Sequence, residues 1–445
     1  MGLIQYCFLF LVVFHVVFNE PRGAYGARVG GIISDAPAPA PDTAVAPDAD
    51  LAADTASTSD ADAASDMTPA SETPLTTGGV CKTMVTRDGY KCQEFTVTTE
   101  DGHILSLQRV NSVKGNEKTK EPAFLQHGLF MDGASWFLDS PKESLGFILA
   151  DNGYDVWVGN TRGTRYSRGH TKLNAILPQF WDYSWDEMAQ YDLPAYINFV
   201  YKQTKKKINY IGHSQGTIMA LASFSLGRES SSEIVSKLKA AALLSPVAYL
   251  SNMLNEMSRV VAKTFATEFA SSNPMAEVNT ADERTAAYLG GICKSVLGMN
   301  CFDMVSSFTG KNCCLNATSF DKFIANSPQS TSAKNSMHLA QTSNSGKFTK
   351  YDYGIGNMLK YGQATPPSYP LTDIPKDLPI FISYGVNDAL ADPQDVEHLL
   401  SDMDHPKNKL EVQKIENYGH LDFIIATNAN RIVFKPMIAF LKRQK

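Results

Sequence analysis

Gly212-His213-Ser214-Gln215-Gly216 sets a serine between two glycines, directly after the apolar run Ile208-Asn209-Tyr210-Ile211 and directly before the helical run Thr217 to Leu226. A strand, a sharp glycine-flanked turn and a helix form the context that presents a nucleophilic serine. The glycines permit a strained turn and a close helix approach, and the helix N-terminus aims free amides at developing negative charge. A serine hydroxyl is a weak nucleophile and needs a base, which in turn needs an orienting group. Two later residues meet that need in chain order. Asp388 follows the apolar run beginning at Ile380, and His420 lies in Tyr418-Gly419-His420-Leu421-Asp422-Phe423, after the last predicted strand. The pattern points to acyl transfer: His420 takes the Ser214 proton, and Asp388 fixes the imidazole tautomer and offsets its positive charge. Asp392 and Asp422 are competing carboxylates. The strand-end position favours Asp388 over Asp392, and Asp422 is too close to His420 in sequence for an easy orienting geometry.

Gln126-His127-Gly128-Leu129 follows a predicted strand and enters the loop where an oxyanion donor belongs, so the amides of Leu129 and Gln215 are the expected pair. Arg162, in Asn160-Thr161-Arg162-Gly163, reads as a structural partner behind the pocket wall. Trp136, Phe137, Trp181, Tyr183 and Trp185 fit an acyl-site lining and ordinary core packing equally well. His398 and His405 read as helical surface residues. No H-E-x-x-H pair is present, and neither a metal nor an organic cofactor is expected.

These groups need a scaffold of strands with helices between them. Cys92 to Thr98 and His103 to Val110 read as an opening hairpin. Ala123 to Gln126, Tyr154 to Val158, Ile208 to Ile211, Ala240 to Leu244, Ile380 to Tyr384 and Leu410 to Ile415 read as further strands, and Ile432 to Leu441 as a closing helix. Short, nearly continuous apolar strands alternating with helices predict an α/β fold with a mainly parallel sheet. From about 250 to 365 the rhythm breaks, which predicts a cysteine-containing cap inserted between a first core part (79–249) and a second (366–445). Such a cap either shapes the acyl pocket or merely stabilises the fold.

The chain has 445 residues and a formal charge of −6, so it offers no broad basic face, and a nucleic-acid partner is not expected. The apolar run from Cys7 to Phe18 is short for a membrane span and precedes small residues, which reads as a signal peptide over 1–27. No stable transmembrane partner is expected, and entry to the secretory pathway leads to an extracellular or vacuolar, lysosome-like compartment. Residues 28–78 form an acidic Ala/Pro/Asp/Ser/Thr-rich leader that cannot build a core. Beyond the signal run, Cys81, Cys92, Cys293, Cys301, Cys313 and Cys314 suggest up to three disulfides. Cys81 with Cys92 is the obvious local pair, and the adjacent Cys313 and Cys314 are expected to have different partners. Asn316-Ala317-Thr318 is an N-glycosylation sequon beside that cluster, which implies an exposed site.

With these residues in view, the chain resembles the acid lipase family that includes lysosomal acid lipase and gastric lipase, especially its plant triacylglycerol-lipase branch. The resemblance spans about 79 to 441. It rests on Gly89-Tyr90-Lys91-Cys92-Gln93-Glu94, Leu125-Gln126-His127-Gly128-Leu129, Asn152-Gly153-Tyr154-Asp155-Val156-Trp157, Asp186-Glu187-Met188-Ala189-Gln190-Tyr191-Asp192-Leu193-Pro194, the Ser214 motif with Thr217, Asn387-Asp388-Ala389-Leu390-Ala391-Asp392-Pro393 and Gly419-His420-Leu421-Asp422-Phe423. It implies an α/β-hydrolase fold with a helical cap, hydrolysis of neutral-lipid esters at a lipid–water interface, triad roles on Ser214, Asp388 and His420, and oxyanion amides on Leu129 and Gln215. Triacylglycerol is the expected substrate; steryl or wax esters, and a non-catalytic lipid-binding protein, are the alternatives. His103, Val386 and the long leader depart from the family pattern without removing a chemical group.

Overall fold

The interior strands form where the sequence is apolar on both faces. The computed structural model describes residues 79–113, 120–226, 233–252, 275–278 and 301–444, except the side chains of Cys301 and Met304. The signal-like run, the acidic leader, Cys293 and the Cys301 side chain therefore lie outside the described residues. The strands are β1 (Lys91–Thr98), β2 (His103–Asn111), β3 (Glu121–Gln126), β4 (Tyr154–Gly159), β5 (Gly169–His170), β6 (Ile208–His213), β7 (Leu238–Leu244), β8 (Glu277–Val278), β9 (Thr331–Ser332), β10 (Ile380–Gly385) and β11 (Leu410–Ile415). The main sheet runs β1-β2-β4-β3-β6-β7-β10-β11, with β5 beside β2. The β1–β2 hairpin and the β2–β4 pair are antiparallel, and every pairing from β4 to β11 is parallel. Strands β4, β6 and β10 are buried along their whole length, whereas the edge strands β1 and β11 alternate between exposed and covered positions. That contrast is what burial on two faces against one demands.

Alternate residues of the strands feed two separate cores. Phe124, Trp157, Tyr210, Leu243 and Ile382 join one cluster, and their chain neighbours Leu125, Val158, Ile211, Leu244 and Phe381 join the other. Helices α1 (Leu145–Asp151), α2 (Leu193–Thr204), α3 (Gln215–Phe224), α4 (Cys301–Thr309), α5 (Ala317–Asn326), α6 (Ala333–Ser345), α7 (Pro393–Met403) and α8 (Lys435–Arg443) follow in chain order. Apolar residues of α2, α3 and α7 pack into the first cluster, and those of α1 and α8 into the second. The sheet is thus sandwiched between helical layers. Trp181, Tyr183 and Trp185 belong to the first cluster and Trp136 and Phe137 to the second, so the aromatic stretch is core packing.

Between β7 and β10 a helical cap is inserted, seen in α4, α5, the short β8–β9 pairing and α6. No helix among the described residues is long and apolar enough to cross a membrane.

Two expectations change. Cys81 and Cys92 are bonded as anticipated, but Cys313 and Cys314 are bonded to each other rather than to different partners. The connecting chain turns so that both side chains meet on one side, a geometry that residue spacing alone does not reveal. His405 is buried, with Nε2 at 2.8 Å from the Leu378 carbonyl oxygen, and it lies beyond the end of α7 instead of on its surface. His398, by contrast, is exposed on α7.

Candidate active site

Strand order decides where the chemistry gathers. The chain leaves β3 towards β4 on one side and returns to place β6 on the other, so β3 and β6 end side by side at the point where the winding reverses. Crevices of α/β sheets form at that reversal, outside the carboxyl ends of the strands. Gln126 pairs with Gly212, and the loop His127-Gly128-Leu129 therefore emerges beside Ser214.

The serine turn is strained and tightly fitted. Ser214 has φ 52° and ψ −116°, in the left-handed half of backbone space that costs a non-glycine residue about 1–3 kcal/mol. A Cβ on Gly212 would lie 2.9 Å from the Gly216 carbonyl carbon, and a Cβ on Gly216 would lie 2.5 Å from the Gln126 carbonyl oxygen. Both clashes are with backbone, so the two glycines let α3 start against the ends of β6 and β3. The Ser214 N–H donates to the Leu244 carbonyl at 3.1 Å, and the Ser214 carbonyl accepts from the Thr217 N–H at 2.8 Å and its hydroxyl at 2.6 Å. These bonds hold the turn from both sides.

Gly128 stands directly over the serine. A Cβ there would meet the Ser214 Cβ at 3.0 Å and His213 Nδ1 at 3.1 Å. The neighbouring His127 is fully buried, and its Nε2 accepts from the Thr161 N–H at 3.1 Å, which assigns the proton to Nδ1, 2.9 Å from the Gly128 carbonyl oxygen. Burial holds its pKa down at about 4, so it is neutral near pH 7 and keeps that tautomer. Leu129 follows, half-buried, at the mouth of this loop. The Gln215 N–H is the first of α3, at the end where amides have no acceptor within the helix.

Asp388 and His420 arrive from the far side of the sheet. Asp388 lies three residues past β10, fully buried, and both its oxygens face His420 Nδ1, Oδ1 at 3.0 Å and Oδ2 at 2.9 Å. Oδ1 also accepts from the amides of Leu390 and Ala391 at 2.9 and 2.8 Å, and Oδ2 from the Ser245 hydroxyl at 2.8 Å. Burial works to raise this carboxyl, but the His420 charge and hydrogen bond, with the Ser245 and Ala391 donors, outweigh it and hold the pKa below its ordinary value. The carboxylate thus fixes the His420 proton on Nδ1 and leaves Nε2 as the basic nitrogen. His213, next to the serine, places Nε2 at 3.1 Å from the His420 carbonyl oxygen, and the two imidazole rings lie 4.8 Å apart. Burial, then the charge on His420, lowers the His213 pKa to about 3.

This serine elbow, with a buried Asp–His pair and a glycine loop above it, agrees with what comparison with known proteins finds. The general α/β hydrolase fold matches residues 124–427, and the partial α/β-hydrolase lipase region matches 81–140. Triacylglycerol lipase 2 of Arabidopsis thaliana is 44% identical over 385 residues, covering 84% of this chain and 91% of that protein. The chain belongs to the α/β-hydrolase lipases. Within that family, the gastric triacylglycerol lipase of Rattus norvegicus is 38% identical over 80% of this chain and 90% of its own length. A crystallised Sulfolobus solfataricus protein provisionally named a lipase shares the fold at 15% identity, with a TM-score of 0.52 over 80% of this chain and 94% of that one. As a member of this family, the protein is a serine-type hydrolase.

The remaining polar candidates have other work in this lipase fold. Asp392 caps α7, accepting the Gln394 N–H at 2.8 Å. Both Asp422 oxygens receive backbone amides, from Gly419 at 2.8 Å, Cys313 at 2.9 Å and Cys314 at 3.1 Å. Cys313, Cys314 and Asp422 bring donor atoms within 4.8 Å of one another, with the two sulfurs bonded together. Arg162 is fully buried and bridges Asp192 and Asp101, with Nε 2.8 Å from Asp192 Oδ1 and Nη1 2.6 Å from Asp101 Oδ2. It is a structural partner, as its sequence position suggested.

Ser245 and Asn335 join the site without having been anticipated. Ser245 has φ 48° just past β7, which turns its hydroxyl towards Asp388. Its position directly after an apolar strand was the available signal. Asn335, near the start of α6, is fully buried and donates from Nδ2 to the Gln215 side-chain oxygen at 2.8 Å. Nothing in the local sequence announces that cap residue, because the contact spans 120 positions.

Proposed function

We propose that this lipase hydrolyses neutral-lipid esters, triacylglycerol first among them, with Ser214 as nucleophile, His420 as base, Asp388 as orienting acid and the Leu129 and Gln215 amides as oxyanion donors. The observation that carries the reading is the buried Asp388 carboxylate spanning His420 Nδ1 with both oxygens, at the same end of the sheet as a serine held at positive φ past β6. Its substrate class is supported by the triacylglycerol lipases of Arabidopsis thaliana and Rattus norvegicus that it matches along most of their length.

The chemistry follows from the protonation states. His420 Nε2 takes the Ser214 proton as Oγ attacks the ester carbonyl. The tetrahedral oxyanion is stabilised by the two amides, and His420 returns the proton to the departing alcohol, a diacylglycerol when triacylglycerol is cleaved. Water then attacks the acyl-enzyme with His420 again as base, releasing the fatty acid and restoring Ser214. Asp388 stays ionised throughout, held so by its four donors.

The working place of such an enzyme is a lipid–water interface. The short apolar run at the N-terminus supports entry to the secretory pathway, and the exposed Asn316 supports glycosylation. The test is a panel of triacylglycerol, steryl, wax and short soluble esters, emulsified and dissolved, with Ser214→Ala as control. Triacylglycerol emulsion is expected to be the best substrate, and Ser214→Ala to lower turnover by about three to six orders of magnitude while leaving the fold intact. Undiminished turnover by folded Ser214→Ala removes the assignment of the nucleophile, and preference for a steryl or wax ester removes the substrate assignment.

A further inference from the structure

His420 is not carried on a helix or strand. It sits in the turn between β11 and the short helix Asp422–Ile425, and its backbone is held largely from the cap. The His420 N–H donates to the Thr309 carbonyl oxygen at 2.9 Å, and the next amide, of Leu421, donates to Asn312 Oδ1 at 3.0 Å. Asn312 is itself fixed, because its Nδ2 donates to Thr309 Oγ1 at 2.8 Å and to the Gly310 carbonyl at 3.1 Å. Two residues beyond His420, Asp422 ties the turn down a second time. One of its oxygens accepts from Gly419 within the turn and from Cys313 of the cap, and the other from Cys314. The bond between Cys313 and Cys314 closes a small ring over those two cap amides, so both are presented to one carboxylate.

The same cap segment also abuts the acid. Gly310, at φ +86°, bridges to Asp388, and a Cβ on it would fall 1.9 Å from the Asn387 carbonyl oxygen. No side chain fits there, and the backbone of residues 309–314 is thereby pressed against both the Asp388 loop and the His420 turn. Asp422 is a fully buried carboxyl whose pKa burial raises to about 6 although three amides favour its charge. Among the described residues no cation pairs with this carboxylate, a costly arrangement when buried, and it gathers these three amides instead.

We propose that Asn312 and Asp422 are positioning residues for His420, through which the cap segment Thr309–Cys314 sets the imidazole against Ser214 and Asp388. This rests on the reading of His420 as the base. Neither residue touches substrate; each acts by fixing the backbone on one side of the histidine. A displacement of about 1 Å in a catalytic group costs on the order of 100-fold in rate, so loosening either anchor lowers the rate of chemistry more than it weakens substrate binding.

The test compares wild type, Asn312→Leu, Asn312→Asp and Asp422→Asn in the full-length glycosylated enzyme. It uses a dissolved short-chain ester, the thermal midpoint, and the downfield proton resonance of the His420 Nδ1–H. Asn312→Leu and Asp422→Asn are expected to lose about 10- to 100-fold in kcat with KM within about threefold, and to broaden or shift that resonance. Asn312→Asp keeps the oxygen that receives the Leu421 amide and is expected to recover most of the loss. Wild-type kcat and an unchanged resonance in folded Asp422→Asn and Asn312→Leu would overturn the proposal, as would Asn312→Asp being no better than Asn312→Leu. If Asn312→Leu does not fold, Asp422→Asn, which preserves size, carries the same expectation and the same overturning result. His420→Ala separates the two levels. Full turnover in that variant removes the reading of His420 itself, whereas an inactive His420→Ala beside wild-type-like Asn312 and Asp422 variants removes only the positioning role.

Discussion

The choice between Asp388 and Asp392 shows how four residues of separation change a carboxylate's work. Asp388 receives His420 Nδ1 and three further donors in a fully buried site, whereas Asp392 spends its side chain on the first turn of α7. Asparagine in place of Asp388 keeps the size but offers an amide group to the imidazole, which favours the wrong tautomer and leaves the imidazolium uncompensated. Asp388→Asn is therefore expected to lower kcat by about 10⁴-fold. Asp392→Asn, which keeps an N-cap acceptor, should stay within about threefold of wild type. Steady-state kinetics on one soluble ester rank the two, and the reverse order would assign the acid wrongly.

At the scale of elements, the site is a meeting of turns at strand ends, and its tolerances are set by backbone approaching backbone. Gly128 illustrates the point. The added methyl of Gly128→Ala would press on Ser214 Cβ at 3.0 Å and His213 Nδ1 at 3.1 Å, distances a neighbour relieves only by giving way a few tenths of an ångström. The loop bearing the Leu129 amide and the serine turn would move apart. Gly128→Ala is expected to lower kcat by about 10- to 100-fold and to cost only about 1–3 kcal/mol in stability. Urea unfolding paired with kinetics checks the split, and a variant with wild-type kcat would show that the two turns do not need this close fit.

For the whole molecule, the buried histidines make stability depend on pH. His127 and His213 are neutral in the folded protein, with pKa values lowered by burial to about 4 and about 3, whereas in the unfolded chain each binds a proton below its ordinary 6.5. The unfolded state then holds more protons between pH 6.5 and about 4, so their contribution is fully present above pH 6.5 and is lost as pH falls through that window. Asp422 acts in the opposite sense. Its carboxyl is raised from 3.8 to about 6, so the folded state holds the extra proton and stability is gained as pH falls from 6 towards 3.8. Glu94, Asp132, Asp139, Asp186, Asp192 and Asp392 are raised by burial like Asp422, and His170, His338 and His405 are lowered like His127, so the His127 share is isolated by comparing wild type with His127→Gln. Between pH 7 and pH 4.5 the stability from urea unfolding is expected to fall by on the order of 2 kcal/mol more in wild type than in His127→Gln. The fall should be shallower in His127→Gln, and an equal slope in wild type and variant would show that His127 is not the group being titrated.

What the sequence determined by itself was the set of elements and the groups at their ends. Glycine spacing around Ser214, apolar runs long enough for buried strands, and a carboxylate and an imidazole placed past the ends of two of those strands are local signals, and each matches a feature of the fold. The positions of Asp388 and His420 were legible because the crevice of an α/β sheet forms outside the carboxyl ends of its strands. Tertiary structure decided the rest. Ser245 and Asn335 entered the site from distant segments, and His405 went inside rather than onto a helix surface. Cys313 found Cys314, and Asp422 proved to be an anchor for backbone amides. The Cys313–Cys314 bond is set by a local turn of the chain; each of the other outcomes depends on which chain segment lies opposite in space, a relation set by sheet order and by the docking of the cap, and neighbouring residues in one sequence carry no record of it.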